Sequence, residues 1–178
     1  ENYAREAMQL FTIGLVELNS DGSVRLDAQG QPIPTYNQGV IEGFANVYTG
    51  WKWAWTGAGA SSFTTVRPGR ANQMLPMQAY PDRHSTGAKA LLGATVLPAG
   101  QTPQKDLADA LDNLFAHPNV GPFIARQLIM RLVTSNPSPA FVARMAAVFN
   151  NDGSGVRGNL GAVVRAILLD SEARSTPA

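Results

Sequence analysis

Cysteine is absent from the 178 residues of this sequence, and histidine occurs only twice. Without cysteine the chain has no disulfide framework, no thiolate metal ligand and no cysteine nucleophile. A mononuclear zinc site takes at least three protein ligands, and two histidines are too few unless carboxylates complete the set. We therefore predict no metal site and no cofactor.

Charge is also scarce, because charged residues make up 15% of the sequence, against about 25% in a typical soluble domain. Lys plus Arg number 14 and Asp plus Glu number 13, so the formal net charge is +1. Binding to nucleic acid through bulk electrostatics needs a strongly basic face, so we expect no nucleic-acid partner. No apolar run approaches the roughly 20 residues of a membrane-spanning helix, which predicts no transmembrane segment in this chain.

Motifs of the common cofactor sites and hydrolases are missing as well. The sequence contains no phosphate-binding loop, no dinucleotide fingerprint, no H-E-x-x-H zinc motif and no Gly-x-Ser-x-Gly elbow. Asn150, Asp152 and Ser154 imitate the alternating ligands of a calcium loop. Gly161 stands where such a loop needs a bidentate glutamate, so we interpret this segment as a turn.

Hydrophobic spacing predicts a mainly α fold, a compact helical array with a small β-hairpin insertion. Apolar residues recur at helical spacing over residues 2–13 and again to about residue 48, where Thr35 or Asn37 is the candidate N-cap. Asp21-Gly22 between two short apolar stretches predicts a β-hairpin near residues 15–27. Four short amphipathic helices are predicted in the last 80 residues, beginning near Thr102, Gly121, Ser138 and Asn159.

We predict a single domain over residues 1–178. It comprises a helix-hairpin-helix region at 1–50, an irregular segment at 51–100 and a helical array at 101–178. An aperiodic connection as long as the middle segment is either functional or poorly ordered. We identify no internal repeat in the sequence.

Two pairs of polar residues are candidates for chemistry. Arg5 and Glu6 on the opening helix suit an anion clamp and a general base, although Arg5 also suits an ordinary surface ion pair with Glu1. His84 and Lys89 lie in the irregular segment, where His84 is a candidate general base or metal ligand. The simpler interpretation of His84 is a loop histidine that is hydrogen-bonded to the backbone.

Three tryptophans alternate at Trp51, Trp53 and Trp55. In an extended segment, alternation places all three indoles on one face. Such a row can stack on sugar rings, or it can cover a groove in the core, which is the commoner use of aromatic side chains.

The opening residues E-N-Y-A-R-E, running into L-F-T-I-G at 10–14, resemble the signature of the bacterial domain of unknown function 1800 family. Further matches follow in order along the chain: Y-T-G-W at 48–51, His84 with Lys89, H-P-N at 117–119, and A-I-L-L-D at 166–170. The resemblance covers nearly the whole chain. The matching polar positions are Asn2, Arg5, Glu6, His84 and Lys89.

This resemblance implies an exported bacterial protein, periplasmic or secreted, of which the present chain is a fragment. The remaining parts of the full-length chain are then expected partners in any shared site. The family carries no established activity. Ser85 stands where the family usually has Asp, and Gln9 where it often has a second Glu, so two carboxylates of a metal or acid–base site are missing here.

Two functions follow from these observations, and whether the chain is an enzyme stays open. The first is a non-catalytic binding or assembly module of the envelope, which takes a glycan or protein partner through Trp51, Trp53 and Trp55. The alternative is a hydrolase or lyase in which Glu6 and His84 act as acid and base. Arg5 or Lys89 would then bind an anionic group. Convergence of these polar residues beside a cleft would favour the enzyme, whereas burial with mutual hydrogen bonding would favour the module.

Overall fold

A computed structural model describes residues 1–57 and 62–175 of the chain. Residues 58–61 of the predicted irregular segment and 176–178 of the predicted helical array therefore lie outside the described residues. The chain divides into two compact units, which are treated separately below. Unit 1 comprises residues 1–6 and 36–114, and unit 2 comprises residues 7–35 and 115–178.

The fold is mainly α, as predicted. The described residues form eight α-helices: α1 Asn2–Gln9, α2 Gln38–Val47, α3 Arg70–Gln73, α4 Pro103–Ala116, α5 Val120–Leu132, α6 Pro139–Asn150, α7 Leu160–Leu169 and α8 Ser171–Arg174. They also form four two-residue strands, β1 Trp51–Lys52, β2 Gln78–Ala79, β3 Lys89–Ala90 and β4 Val96–Leu97. Two 3-10 turns lie at Pro81–Arg83 and Leu92–Ala94. No helix in the described part of the chain is long and apolar enough to span a membrane.

The N-caps predicted at Asn37, Thr102 and Asn159 are confirmed. The side-chain oxygens of these residues, and that of Ser138, each accept a hydrogen bond from the backbone N–H three residues further on. Each bond satisfies an N–H group that the first helical turn leaves without a partner. Thr35, the alternative cap of α2, instead donates its hydroxyl proton to the carbonyl oxygen of Gly14.

Unit 1 is built around α2, which buries Ile41, Phe44 and Val47. Gly43 lies on the same helix, where a Cβ atom would come within 1.8 Å of the carbonyl oxygen of Ala90. Only glycine allows the backbone of β3 to approach α2 so closely. This contact fixes the position of β3, and with it Lys89.

The middle segment contains two short antiparallel sheets. In the first, Trp51 of β1 pairs with Ala79 of β2. In the second, Lys89 of β3 pairs with Leu97 of β4. These pairings join stretches of chain that carry no hydrophobic period of their own. The sequence therefore predicts only a short strand within residues 91–97, where β4 lies.

Residues 15–35 of unit 2 form a three-sided arrangement that we call the β-triangle. Three short extended segments pair antiparallel with one another through the bridges Val16↔Pro34, Leu18↔Val24 and Leu26↔Pro32. The amide of Glu17 donates to Ile33, that of Ile33 to Arg25, and that of Arg25 back to Glu17, at 2.8, 3.2 and 2.8 Å. The predicted hairpin at 15–27 is present, and a third segment closes it.

An eight-residue repeat underlies the β-triangle, so our expectation of no internal repeat is wrong. V-E-L-N-S-D-G-S at 16–23 is followed by V-R-L-D-A-Q-G-Q at 24–31. Gly22 and Gly30 occupy the same place in the two turns, with φ of 78° and 77°. Glycine adopts this left-handed conformation without steric cost. The repeat is too short and too variable to be recognised before the pairing is known.

Helices α5, α6 and α7 supply most of the core of unit 2. Their buried apolar residues recur every three or four positions: Ala125 and Ile129, then Phe141, Met145 and Phe149, then Val163 and Ile167. Buried Asn119 ties this core to the start of the β-triangle. Its side-chain amide donates to the carbonyl oxygens of Ile13 and Val16, both at 2.8 Å, and its oxygen accepts from the amide of Leu18 at 2.9 Å.

Candidate functional site

His84 and Lys89 lie together in unit 1, on either side of a carboxylate that the sequence did not single out. His84 follows the 3-10 turn at Pro81–Arg83, Lys89 begins β3, and Asp106 lies in the first turn of α4. The exposed fractions of the three side chains are 2%, 0% and 0%. We call these three residues, with Gln101 and Thr49, the buried polar cluster.

Asp106 is the centre of this cluster. Its Oδ2 atom lies 2.8 Å from Nε2 of His84 and 2.7 Å from Nζ of Lys89, and its Oδ1 accepts from Gln101 at 2.7 Å. Lys89 donates its two remaining protons to the carbonyl oxygens of Ser85 and Gly87, at 2.7 and 2.9 Å. All three donors of the ammonium group are therefore used inside the protein.

The second nitrogen of His84 is also engaged. Nδ1 lies 3.0 Å from the carbonyl oxygen of Thr49 and 3.3 Å from its hydroxyl. That hydroxyl donates to Asn46 at 2.6 Å and accepts from the amide of Ser85 at 2.8 Å. Both ring nitrogens thus face oxygen atoms of the protein. His84 is hydrogen-bonded to the backbone, as its simpler interpretation predicted, and it is also paired with a buried carboxylate.

Opposing effects set the ionisation of Asp106. Burial by itself would raise its pKa, but hydrogen bonds from Lys89, Gln101 and His84 outweigh this effect and hold the pKa below its ordinary value. The carboxylate therefore stays ionised beside the ammonium group of Lys89. A buried ion pair of this kind stabilises a fold only while it is complete, since loss of one partner leaves an uncompensated charge.

The other two polar candidates have different neighbours. Arg5, with a side chain that is 44% exposed, donates to Gln38 at 2.8 Å and lies 3.8 Å from the carboxylate of Glu1. The interpretation as a surface ion pair with Glu1 therefore describes Arg5. Glu6 is half-buried, and its side chain makes no hydrogen bond or ion pair among the described residues. Within residues 1–57 and 62–175, neither Arg5 nor Glu6 bonds to the buried polar cluster.

The three tryptophans lie at and beyond β1, in unequal surroundings. Trp51 is half-buried, and its indole Nε1 is enclosed without a hydrogen-bond partner in the described part of the chain. Trp53 has an exposed fraction of 37%, and its carbonyl oxygen accepts from Tyr80 at 2.9 Å. Trp55 is half-buried, and its amide donates to Gln78 at 3.0 Å. Regular strand geometry ends at Lys52, so it does not extend to Trp53 and Trp55.

Asp106 was missed because its sequence context is that of an ordinary helix start. It lies three residues after Pro103, where acidic residues are common for reasons of helix electrostatics. Its partners His84 and Lys89 are 22 and 17 residues away in the chain. The signal that could have been detected is the placement of Asp106, a charged residue, at the edge of the apolar face of α4.

No group of three or more His, Asp and Glu side chains among the described residues is arranged to hold a metal ion. In the buried polar cluster, the ammonium group of Lys89 already provides the cation that accompanies Asp106. The hydrogen bonds and the ion pair of this cluster hold three stretches of the chain together, around residues 49, 84–89 and 101–106.

A family model described as protein of unknown function, DUF1800, matches residues 1–178. The chain belongs to the DUF1800 family. This membership confirms the resemblance found in the sequence, and it brings no activity with it. No curated protein and no solved structure matches the chain. The roles of His84 and Lys89 in this DUF1800 domain are therefore inferred from the geometry of the buried polar cluster.

Proposed function

We propose that this DUF1800 domain is a non-catalytic binding or assembly module of the bacterial envelope. It is exported to the periplasm or secreted, and it takes a glycan or a protein as its partner. One observation carries the proposal. His84 and Lys89, two of the polar residues of the family signature, have all their hydrogen-bonding groups engaged by Asp106 and by backbone and hydroxyl oxygens inside unit 1.

The buried polar cluster gives such a module a rigid frame. It holds Thr49, just before the irregular segment, and residues 84–89 within that segment against the first turn of α4. Loops that a scaffold positions in this way are the usual place for recognition. Trp53 is exposed within that segment, and an amphipathic aromatic ring suits both a sugar face and a protein surface.

The alternative, a hydrolase or lyase, has weaker support. A general base must reach the proton it abstracts, and both nitrogens of His84 already face oxygen atoms of Thr49 and Asp106. The side chain of Glu6 makes no hydrogen bond or ion pair among the described residues, so none of them orients its carboxylate as an acid or base.

Co-sedimentation tests the module directly. Purified protein is mixed with insoluble peptidoglycan and with immobilised envelope proteins, and Trp53→Ala is compared with Phe11→Ala, which removes an aromatic ring that is 68% exposed in unit 2. We expect Trp53→Ala to lower the bound fraction severalfold and Phe11→Ala to leave it unchanged. Equal binding by both variants would contradict a role for Trp53.

A panel of chromogenic glycosides and esters tests the alternative. We expect no turnover above the buffer rate in the unaltered protein. Turnover that disappears in Glu6→Gln, with the unfolding temperature unchanged, would overturn the proposed non-catalytic function.

A further inference from the structure

Unit 2 contains a groove of about 280 Å³ between the β-triangle and one face of α5. The helix contributes Phe123, Arg126, Gln127 and Met130, whose spacing of three, four and seven residues places them on one helical face. The β-triangle contributes aliphatic side chains, among them Leu15 and Val24. The volume lies just below the range of about 300–1,000 Å³ found for sites that enclose a whole small-molecule ligand, so it fits one or two side chains.

Close contacts at two glycines hold the groove in shape. A Cβ atom on Gly14 would lie 3.2 Å from the ring of Phe123, and one on Gly22 would lie 3.0 Å from Cγ1 of Val142. Both glycines have positive φ, at 74° and 78°. The β-triangle therefore approaches α5 and α6 at these two points, and the groove exists without a ligand.

The walls of the groove are apolar and accessible. Leu15, Val24 and Met130 have exposed fractions of 56%, 42% and 37%. Large aliphatic side chains that cluster around a depression in this way are typical of an interaction site, whereas scattered exposed ones are not.

Among the described residues that line the groove, Arg126 is the only charged one. Its side chain is exposed and makes no hydrogen bond or ion pair in that part of the chain. The side chain of Gln127, beside it on the groove face of α5, is likewise exposed and makes no hydrogen bond within the described chain. No acidic residue of the described chain lines the groove, so its charge complements an anion.

We propose that this groove binds the C-terminal end of a partner polypeptide, with an aliphatic last side chain in the groove and the free carboxylate on Arg126. The inference goes beyond the proposed function, since the groove lies in unit 2 and Trp53 lies in unit 1. The guanidinium group pairs with a carboxylate through two parallel hydrogen bonds, and the amide of Gln127 matches the preceding peptide group. A chain end is favoured over a strand running through the groove, since the three segments of the β-triangle already pair with one another.

Calorimetry with two short peptides tests this assignment. Acetyl-Ala-Ala-Leu-Leu with a free carboxylate is compared with the same peptide as its C-terminal amide. We expect the acid to bind about two- to fivefold more tightly than the amide, which is the scale of one exposed ion pair. Arg126→Gln should abolish this difference, and Met130→Ser should weaken the binding of both peptides.

Arg131→Gln is the matched control, because Arg131 is an exposed arginine of α5 that does not line the groove. It should keep the preference for the acid. Equal binding of acid and amide, or equal effects of the two arginine variants, would overturn the proposal. Octanoate that binds as tightly as the peptide would assign the groove to fatty acids instead. If the acid peptide does not bind but the protein still co-sediments with the envelope material, the groove proposal is wrong and the proposed function stands.

Discussion

The buried polar cluster of unit 1 and the groove of unit 2 use charged side chains in opposite ways. Lys89 and Asp106 are fully enclosed, and every hydrogen-bonding group of the ammonium has a partner. Arg126 is exposed and has no hydrogen-bond or ion-pair partner in the described chain. A charged residue of this domain is tied into the fold where its partners are complete, and it is accessible to a binding partner where they are missing.

Removal of the central carboxylate should have the largest effect. Asp106→Ala leaves the ammonium of Lys89 buried without its counter-charge, which typically costs about 3–5 kcal/mol of the free energy of unfolding. Urea unfolding followed by tryptophan fluorescence reports on unit 1, because Trp51, Trp53 and Trp55 all lie there.

Asp112→Ala is the control, since it removes an exposed carboxylate from the same helix. We expect a change within about 0.5 kcal/mol for this variant. Similar losses in the two variants would show that Asp106 is an ordinary helix residue.

A methyl group on Gly43 should have the next largest effect. Gly43→Ala forces the Cβ atom into the carbonyl oxygen of Ala90, and the backbone of β3 must move. We expect a loss of about 3 kcal/mol, at the upper end for overpacking. Gly39→Ala in the same helix meets only a contact of 3.4 Å, so it should be neutral or slightly stabilising. Thermal unfolding of both variants measures these losses of stability. Equal losses in Gly43→Ala and Gly39→Ala would contradict the close approach of β3 to α2.

Acid should weaken unit 1 through Asp106. The pKa of Asp106 in the folded protein is held below its ordinary value by Lys89, Gln101 and His84, against the effect of burial. Its contribution to stability is therefore complete above the unfolded pKa of about 4 and is lost as the pH falls through the lower folded value. The free energy of unfolding, measured from pH 7 to pH 3, should fall more steeply in the unaltered protein than in Asp106→Asn. Parallel curves would contradict this assignment.

The smallest stability effect belongs to the groove. Arg126→Gln should change the free energy of unfolding by less than about 0.5 kcal/mol, since the guanidinium has no partner to lose among the described residues. Differential scanning calorimetry of this variant beside the Asp106 variant would sharpen the comparison of the two regions. A loss above about 1 kcal/mol would place Arg126 among the stabilising residues.

Local features of the fold were predictable from the sequence. Helices α4 to α7 were predicted from apolar spacing, and Thr102 and Asn159 were identified as caps, because helix formation depends on neighbours three or four residues away. The third side of the β-triangle was not predicted. Pro32 and Pro34 indicate only an extended chain, and their pairing partners lie 6 and 18 residues earlier.

The candidate site was predictable in part. His84 and Lys89 were identified as polar residues of the irregular segment that also match the family signature, and the structure joins them through Asp106. Nothing in the local sequence connects Asp106 to them, because a contact between residues 17 or more positions apart leaves no repeating pattern in the sequence. The groove was not predicted at all, because its two walls are separated by about 100 residues of chain.

The sequence by itself determined the helical class, the positions of the main caps and the family, since these depend on residue type and short-range order. The tertiary structure decided whether each charged side chain is enclosed or accessible. Burial and hydrogen bonding depend on what the rest of the chain places beside a residue, and the same arginine, lysine or aspartate has a different role in each environment.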